Sequence, residues 1–274
     1  MISRKEHFFG LFLWVESLKE GLVNGDSIGF LRERLRGFPQ DLNECFEKIL
    51  FADIDKRYRR LSALMFHVAL KSYTNLPLAA YWVLTQNPSV QAIKKYALED
   101  IAPSDPIILS TLLEQMHRRL NAYSKGLLKE RRMETRPIIM VEDMTTWEQD
   151  WLDYHVKFLH RTVRDFLASS NISAWLLSWN SEGPHLDAVI CSASLVYLKM
   201  SPMKLKRHRK CCKSVVDSFL VNCKALHGVD SSQSNLQFII KFIDEFLKTM
   251  WDPKTPFRNN DMFGSWAAIP DKKT

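Results

Sequence analysis

From Phe8 onward, large apolar residues return every three or four positions: Leu11, Phe12, Val15, Leu18 and Leu22. That period marks one face of an α-helix and predicts a helix over about 4–23. It ends at Asn24-Gly25, where glycine accepts the left-handed cap. Asp26 or Ser27 then caps a short helix with the stripe Ile28, Leu31 and Leu35, and Pro39 opens a third through Leu42, Cys45, Phe46 and Ile49. A fourth is predicted over about 55–73, with Leu61, Leu64, Met65 and Val68 inward. Asn75-Leu76-Pro77 breaks it before a short helix through Trp82.

The stretch 105–123 carries Leu109, Leu112, Leu113, Met116 and Leu120 at helical steps, with Pro106 in the first turn. Strand character follows at 125–128, at Pro137 to Val141 and at 156–159, and the acidic, Trp-rich segment before the last reads as an inserted loop. Helical spacing then returns over 184–199. It recurs over 207–226 (Cys212, Val215, Phe219, Cys223, Leu226) and over 235–250 (Ile239, Ile243, Phe246, Met250). The expected fold is therefore mainly α: a helical bundle over 1–75, a winged-helix-like region with a small β-hairpin over 76–170, and a C-terminal helical domain over 171–274. An insertion is expected at about 130–154. No internal repeat is visible.

Composition narrows the class. With 46% apolar residues the chain has the material for a buried core. Its net charge of +7 is too diffuse to demand an acidic partner. The five cysteines include no C-x-x-C pair, so neither a disulfide framework nor a zinc site is indicated, and a reducing, cytoplasmic setting is expected. The run FFGLFLWV at 8–15 imitates a secretory signal, but it meets Glu16, Lys19 and Glu20 at once and lacks a small-residue cleavage site. No membrane association is expected.

Two stretches carry a family resemblance. Residues 10–50, GLFLWVESLKEGLVNGDSIGFLRERLRGFPQDLNECFEKIL, and residues 156–169, VKFLHRTVRDFLAS, resemble segments of the NACHT-type STAND NTPases abundant in filamentous fungi. The first is similar to the helical segment after the nucleotide-binding core, the second to the end of the winged-helix region. KGLL at 125–128 resembles the first wing strand, and HLDAVICSASLVYLK at 185–199 resembles a helix of the downstream domain. The resemblance implies a non-catalytic regulatory and interaction module that gates nucleotide-dependent assembly. Its expected partner is an NTPase core or another protein, with self-association as a further expectation.

The residues at the junction add a local reason for a strand-to-helix turn. Thr162 and Asp165 form a T-x-x-D capping pair, and Val163, Phe166 and Leu167 then face a core. The resemblance further implies a Phe-x-His motif followed by a second Phe, with the histidine reaching the phosphates of bound ADP; Phe158, His160 and Phe166 fit it. The plainer reading is that His160 satisfies a backbone group beside the wing. None of the nine glycines is followed by lysine, so no phosphate-cradling G-x-x-x-x-G-K-[ST] loop can be written. The chain itself is therefore expected to hold no nucleotide, no cofactor and no catalytic residue; ATP or ADP belongs to an intact homologue. By the resemblance the loop lies upstream of Met1, which reads as a truncated product, a partial gene model or a remnant acting beside another protein.

Three other patterns are weighed. Gly25-Asp26-Ser27-Ile28-Gly29 matches G-x-S-x-G, but a nucleophile elbow needs a strand before the serine, and here a helix ends. The basic run KLKRHRKCCK at 204–213 supports the alternative of a winged-helix protein binding nucleic acid through a basic surface; it lacks stacking aromatics and more often is a solvated helix start. Trp147 and Trp151 among acidic residues form either an exposed docking loop or a loop that folds its tryptophans back.

Overall fold

A computed structural model describes residues 22–23, 25–36, 42–86, 89–101, 105–132, 146–179, 186–201, 209–229 and 233–250. The expected first helix and the strand run at 137–141 lie outside these, as do Pro39 and the side chains of Leu31, Leu35 and Cys212. The described chain runs α1 (Ile28–Arg36), α2 (Leu42–Lys48, continued by a π-helical turn Ile49–Asp53), α3 (Arg59–Lys71), α4 (Leu78–Gln86) and α5 (Val90–Leu98). It continues with α6 (Pro106–Ser124), β1 (Leu128–Arg132), α7 (Thr146–Asp153), β2 (Tyr154–Phe158), α8 (Arg161–Leu167) and α9 (Ser170–Ser178). Three long helices end it: α10 (Leu186–Met200), α11 (Arg209–Val229) and α12 (Gln233–Met250). The fold is mainly α with one small antiparallel two-stranded sheet, as the periodicity predicts.

The described residues fall into two compact units, each drawn from three stretches of chain. The first takes Met1–Leu70, His117–Glu130 and Val156–Gly183; the second takes Lys71–Met116, Arg131–His155 and Pro184–Thr274.

In the first unit, Gly25 adopts φ 78° and its N–H bonds to Leu22 O at 3.1 Å, the left-handed stop the sequence predicts. Ser27 Oγ then accepts from Phe30 N–H at 3.3 Å, so the serine of the hydrolase-like pattern is a helix cap with no strand before it. Cys45, Phe46 and Leu50 are buried, and Phe46 meets Phe166 with ring centroids 5.2 Å apart. Burial raises the Cys45 thiol to about 11, which makes it an inert core residue. In α3 every side chain from Ser62 to Val68 is buried, wider than the expected stripe. Ser62 Oγ reaches Tyr123 O at 2.7 Å, tying α3 to the end of α6. Phe51, Trp175 and Trp179 cluster edge to face, with the Arg59 guanidinium over both tryptophans.

His67, only 5% exposed, is the buried titratable group of that helix. Burial lowers its pKa from 6.5, while the Ala63 backbone one turn earlier pulls weakly upward at a geometry short of a hydrogen bond. The unfolded chain therefore binds more protons than the native one below about pH 6.5, and stability present above that pH is lost on acidification. The expected loss is at most about 1.4 kcal/mol per pH unit. Urea unfolding at pH 7, 6 and 5 checks this: the profile should be steeper in the wild type than in His67→Leu, and identical slopes rule the effect out.

The second unit is organised around α10, whose residues from Asp187 to Met200 are all buried. A helix buried on every side is a central rod, and α4, α5, α11 and α12 pack around it. Ala188, Ser192 and Ala193 give it the small cross-section that close neighbours need. Cys191 and Cys223 face each other across the α10–α11 contact with sulfurs 3.5 Å apart, and burial pushes the Cys191 thiol up. Phe219 stacks on Phe242 and Phe246 of α12. The inward face of α12 is thus Ile239, Phe242, Phe246 and Met250, and Ile243, expected inward, is exposed instead. The pairing with α11 rotates the contact by one residue.

Residues 133–145 lie outside the described residues, and the described ends of the segment expected as an insertion at 130–154 are regular. Its first residues complete β1, and Thr146–Asp153 forms α7 directly before β2. Trp151 is 1% exposed; its ring stacks on Tyr197 at 5.5 Å and 6°, and its indole N–H donates to Ser201 Oγ at 3.0 Å. For Trp151 the fold-back reading holds, and the surface received is α10 rather than the hairpin. The Trp147 side chain lies outside the described residues.

Candidate functional site

The junction around His160 is built by the end of α6 and the hairpin. Ser124 Oγ donates to Leu120 O at 2.7 Å and accepts from Leu128 N–H at 3.3 Å, bridging the last helical turn to the first strand residue. Between them Lys125 (φ 50°) and Gly126 (φ 80°) are both left-handed, a reversal that glycine makes at no steric cost. The expected strand 125–128 therefore starts later, at Leu128. Leu159 N–H donates to Leu127 O at 2.9 Å, which sets the antiparallel register: Leu128 opposite Phe158 and Lys129 opposite Lys157. This register sets two lysines opposite each other on one side of the hairpin, a local concentration of positive charge.

On the hairpin's other side, Glu130 Oε1 lies 3.4 Å from His117 Nδ1 on α6. Burial pushes the Glu130 carboxyl up, but His117, its own backbone N–H and Lys129 outweigh that and hold it low. β2 ends at Phe158, half-buried, and Leu159 is buried. His160 is exposed and extended (φ −151°, ψ 162°), and it, not Thr162, is the N-cap of α8. Its Nδ1 accepts from Thr162 N–H at 3.2 Å, with Thr162 Oγ1 at 3.0 Å. The T-x-x-D expectation is thus corrected by two positions. Thr162 stands in the first turn, and Asp165 pairs with Arg161 at 3.3 Å on the exposed side instead of closing a capping box. Val163, Phe166 and Leu167 are buried as expected, with Phe166 against Phe46.

This cap has a chemical consequence. An Nδ1 that accepts a backbone hydrogen bond carries no proton, so the neutral ring keeps its proton on Nε2, a donor. A residue type seldom used as a cap thus presents a fixed N–H at an exposed turn. The plainer reading of His160, that it satisfies a backbone group, is met by Thr162 N–H; local preference alone puts the cap itself at Thr162, because Ser, Thr and Asp are the preferred caps.

The other candidates separate from this junction. Side chains of the basic run 204–213 lie outside the described residues. Among the described residues there is no group of His, Cys, Asp and Glu able to hold a metal ion, and no helix long and apolar enough to cross a membrane. A buried ion pair that no motif announced joins Lys199 of α10 to Glu245 of α12 at 2.7 Å, with Lys199 also donating to Glu99 O at 2.7 Å.

Fold and junction together define a mainly helical protein whose two-stranded hairpin leads into a histidine-capped turn. Residues 53–209, more than half of the chain, match the family described as Domain of unknown function (DUF7791), and the chain belongs to that family. The match runs from the π-helical turn to the start of α11 and includes the whole junction. No curated protein and no solved structure matches.

Proposed function

We propose that this chain is a non-catalytic regulatory and interaction module of a NACHT-type signalling NTPase, and that His160 donates a hydrogen bond to the phosphates of a nucleotide held by the partner core. The reading rests on the resemblance in 10–50 and 156–169. The observation that carries it is the exposed His160, whose Nδ1 is occupied by Thr162 N–H so that Nε2–H is the donor. A contact made only while diphosphate is bound favours the arrangement that makes it, which is how a mobile module gates an assembly.

The test is ADP retention by the chain reconstituted with a P-loop-bearing NACHT core. His160→Ala removes both cap and donor, whereas His160→Ser keeps a good cap and removes only the donor. Both are expected to weaken ADP retention by about tenfold or more, since a hydrogen bond to a charged group contributes about 1.5–3 kcal/mol. Unchanged retention in His160→Ser removes the phosphate contact.

A second reading, binding of nucleic acid by the hairpin, is favoured by one observation, Lys129 opposite Lys157. Salt separates the two: phosphate-backbone binding weakens steeply as salt rises, whereas docking through apolar helix faces persists.

A further inference from the structure

Among the described residues, two thiols meet. Cys191 of α10 and Cys223 of α11 are 32 residues apart in the chain, and their sulfurs are 3.5 Å apart. Both are buried, Cys191 completely and Cys223 at 6% exposure. The contact joins the central rod of the second unit to the helix packed beside it. No local spacing announces the pair, since two helices make it and not a C-x-x-C turn.

The geometry suits a covalent bond. A disulfide needs sulfurs about 2.05 Å apart and main chains close enough for both side chains to reach. Cys191 Sγ lies 3.4 Å from Phe219 O, one turn before Cys223, so its side chain already touches the α11 main chain. From 3.5 Å the two sulfurs have about 1.5 Å to close. The Cys191 S–H donates to Phe219 O. With that proton directed at the carbonyl, Cys191 meets Cys223 through a sulfur lone pair, the electron pair that a new S–S bond uses.

We propose that Cys191 and Cys223 form a peroxide-sensitive dithiol that closes to a reversible disulfide and locks α11 onto α10. Hydrogen peroxide first oxidises the sulfur of Cys223, the less deeply buried of the two, to a sulfenic acid and releases one water. The Cys191 sulfur then attacks the Cys223 sulfur, the S–O bond breaks, and the Cys191 proton leaves with the oxygen as a second water. Two thiols are thereby oxidised while one peroxide is reduced to two waters. Burial keeps the Cys191 thiol protonated, which sets closure on a scale of about minutes to hours. A dithiol reductant reverses the bond by exchange. This inference does not depend on the nucleotide reading of His160.

Peptide mapping of the full chain tests it. The reduced protein is held with hydrogen peroxide in native buffer for several hours, unfolded in excess N-ethylmaleimide to cap every free thiol, and digested with trypsin without reductant. Residues 165–199 and 214–224 are expected as one cross-linked species, two hydrogens lighter than their sum, in more than half of the molecules. Dithiothreitol is expected to separate them. Cys211 and Cys212 fall on a different tryptic peptide, so their bonds are distinguished. The oxidised chain should melt about 5 °C or more above the reduced chain, because the bond constrains the unfolded state. Cys223→Ala should show no such shift, and the wild-type map decides the case if that variant does not fold. Both peptides recovered capped, either cysteine bonded to Cys211 or Cys212 instead, or a bond that forms only in urea overturns the proposal. So does a cross-link that leaves the melting temperature unchanged, or a shift retained in Cys223→Ala.

Discussion

Trp151→Ala should lower the stability of the second unit by about 3–5 kcal/mol, the range for removing a large buried aromatic. Three contacts go together: the burial of a side chain that is 1% exposed, the stack on Tyr197, and the hydrogen bond to Ser201. Ser201 keeps a partner in Tyr197 O at 2.7 Å, so the lost bond leaves no orphaned hydroxyl and the main cost is the cavity. Trp151→Phe keeps most of the ring and should cost only about 1–2 kcal/mol. Urea unfolding of the full chain reads both, and equal midpoints for Ala and wild type would show that α7 is not anchored by this ring.

Lys199→Ala is the second large effect. Lys199 is 5% exposed, and its ammonium bridges Glu245 Oε2 and Glu99 O, each at 2.7 Å, joining α10, α12 and the chain after α5. Removing one partner of a buried pair typically costs about 3–5 kcal/mol, because the remaining charge stays desolvated. Glu245 is only partly buried and keeps Lys248 at 3.1 Å, so the expected loss lies near the lower end, about 3 kcal/mol. Lys199→Met/Glu245→Leu should recover more than half of that, since an apolar pair of similar volume removes the stranded charge. A double variant no more stable than Lys199→Ala alone would show that the carbonyl contact with Glu99, not the ion pair, carries the stability.

Where burial was one-sided, the sequence was readable. Leu109, Leu112, Leu113, Met116 and Leu120 follow the helical period because α6 has one wet face, and all five are buried. α5 escaped notice because its stripe is short: Val90, Ile93 and Ala97 are the buried positions, and Ala97 is a weak apolar signal. α9 was missed for a related reason, its Ser169 start following directly on the previous helix's last turn. The central position of α10 was hidden by its polar residues, since Ser192, Ser194 and Lys199 read as surface and are buried. Periodicity reports which side of a helix meets apolar surroundings; it is silent on a helix surrounded on all sides.

The candidate site was legible in part. Phe158, His160 and Phe166 are singled out by the family resemblance, and Val163, Phe166 and Leu167, which local patterning places inward, are core. The cap was displaced by two residues because local preference ranks hydroxyls and carboxylates above imidazole, whereas the register set by Leu159 and Leu127 fixes where the helix begins. The role of Trp151 was undecidable from composition, since an acidic tryptophan-bearing segment is equally suited to water and to a partner surface. Only the position of Tyr197, distant in sequence, resolves it.

The chain passes from one compact unit to the other at 70/71, 116/117, 130/131, 155/156 and 183/184, and several of those points fall inside α3, α6 and the two strands. No single cut therefore releases either unit whole, and any contiguous fragment long enough to contain one unit carries pieces of the other. During synthesis the first unit lacks the last of its three stretches until residue 183 has been made, and the second waits for α12. Such late closure between distant stretches makes folding slow relative to a simple helical bundle and leaves apolar helix faces uncovered meanwhile.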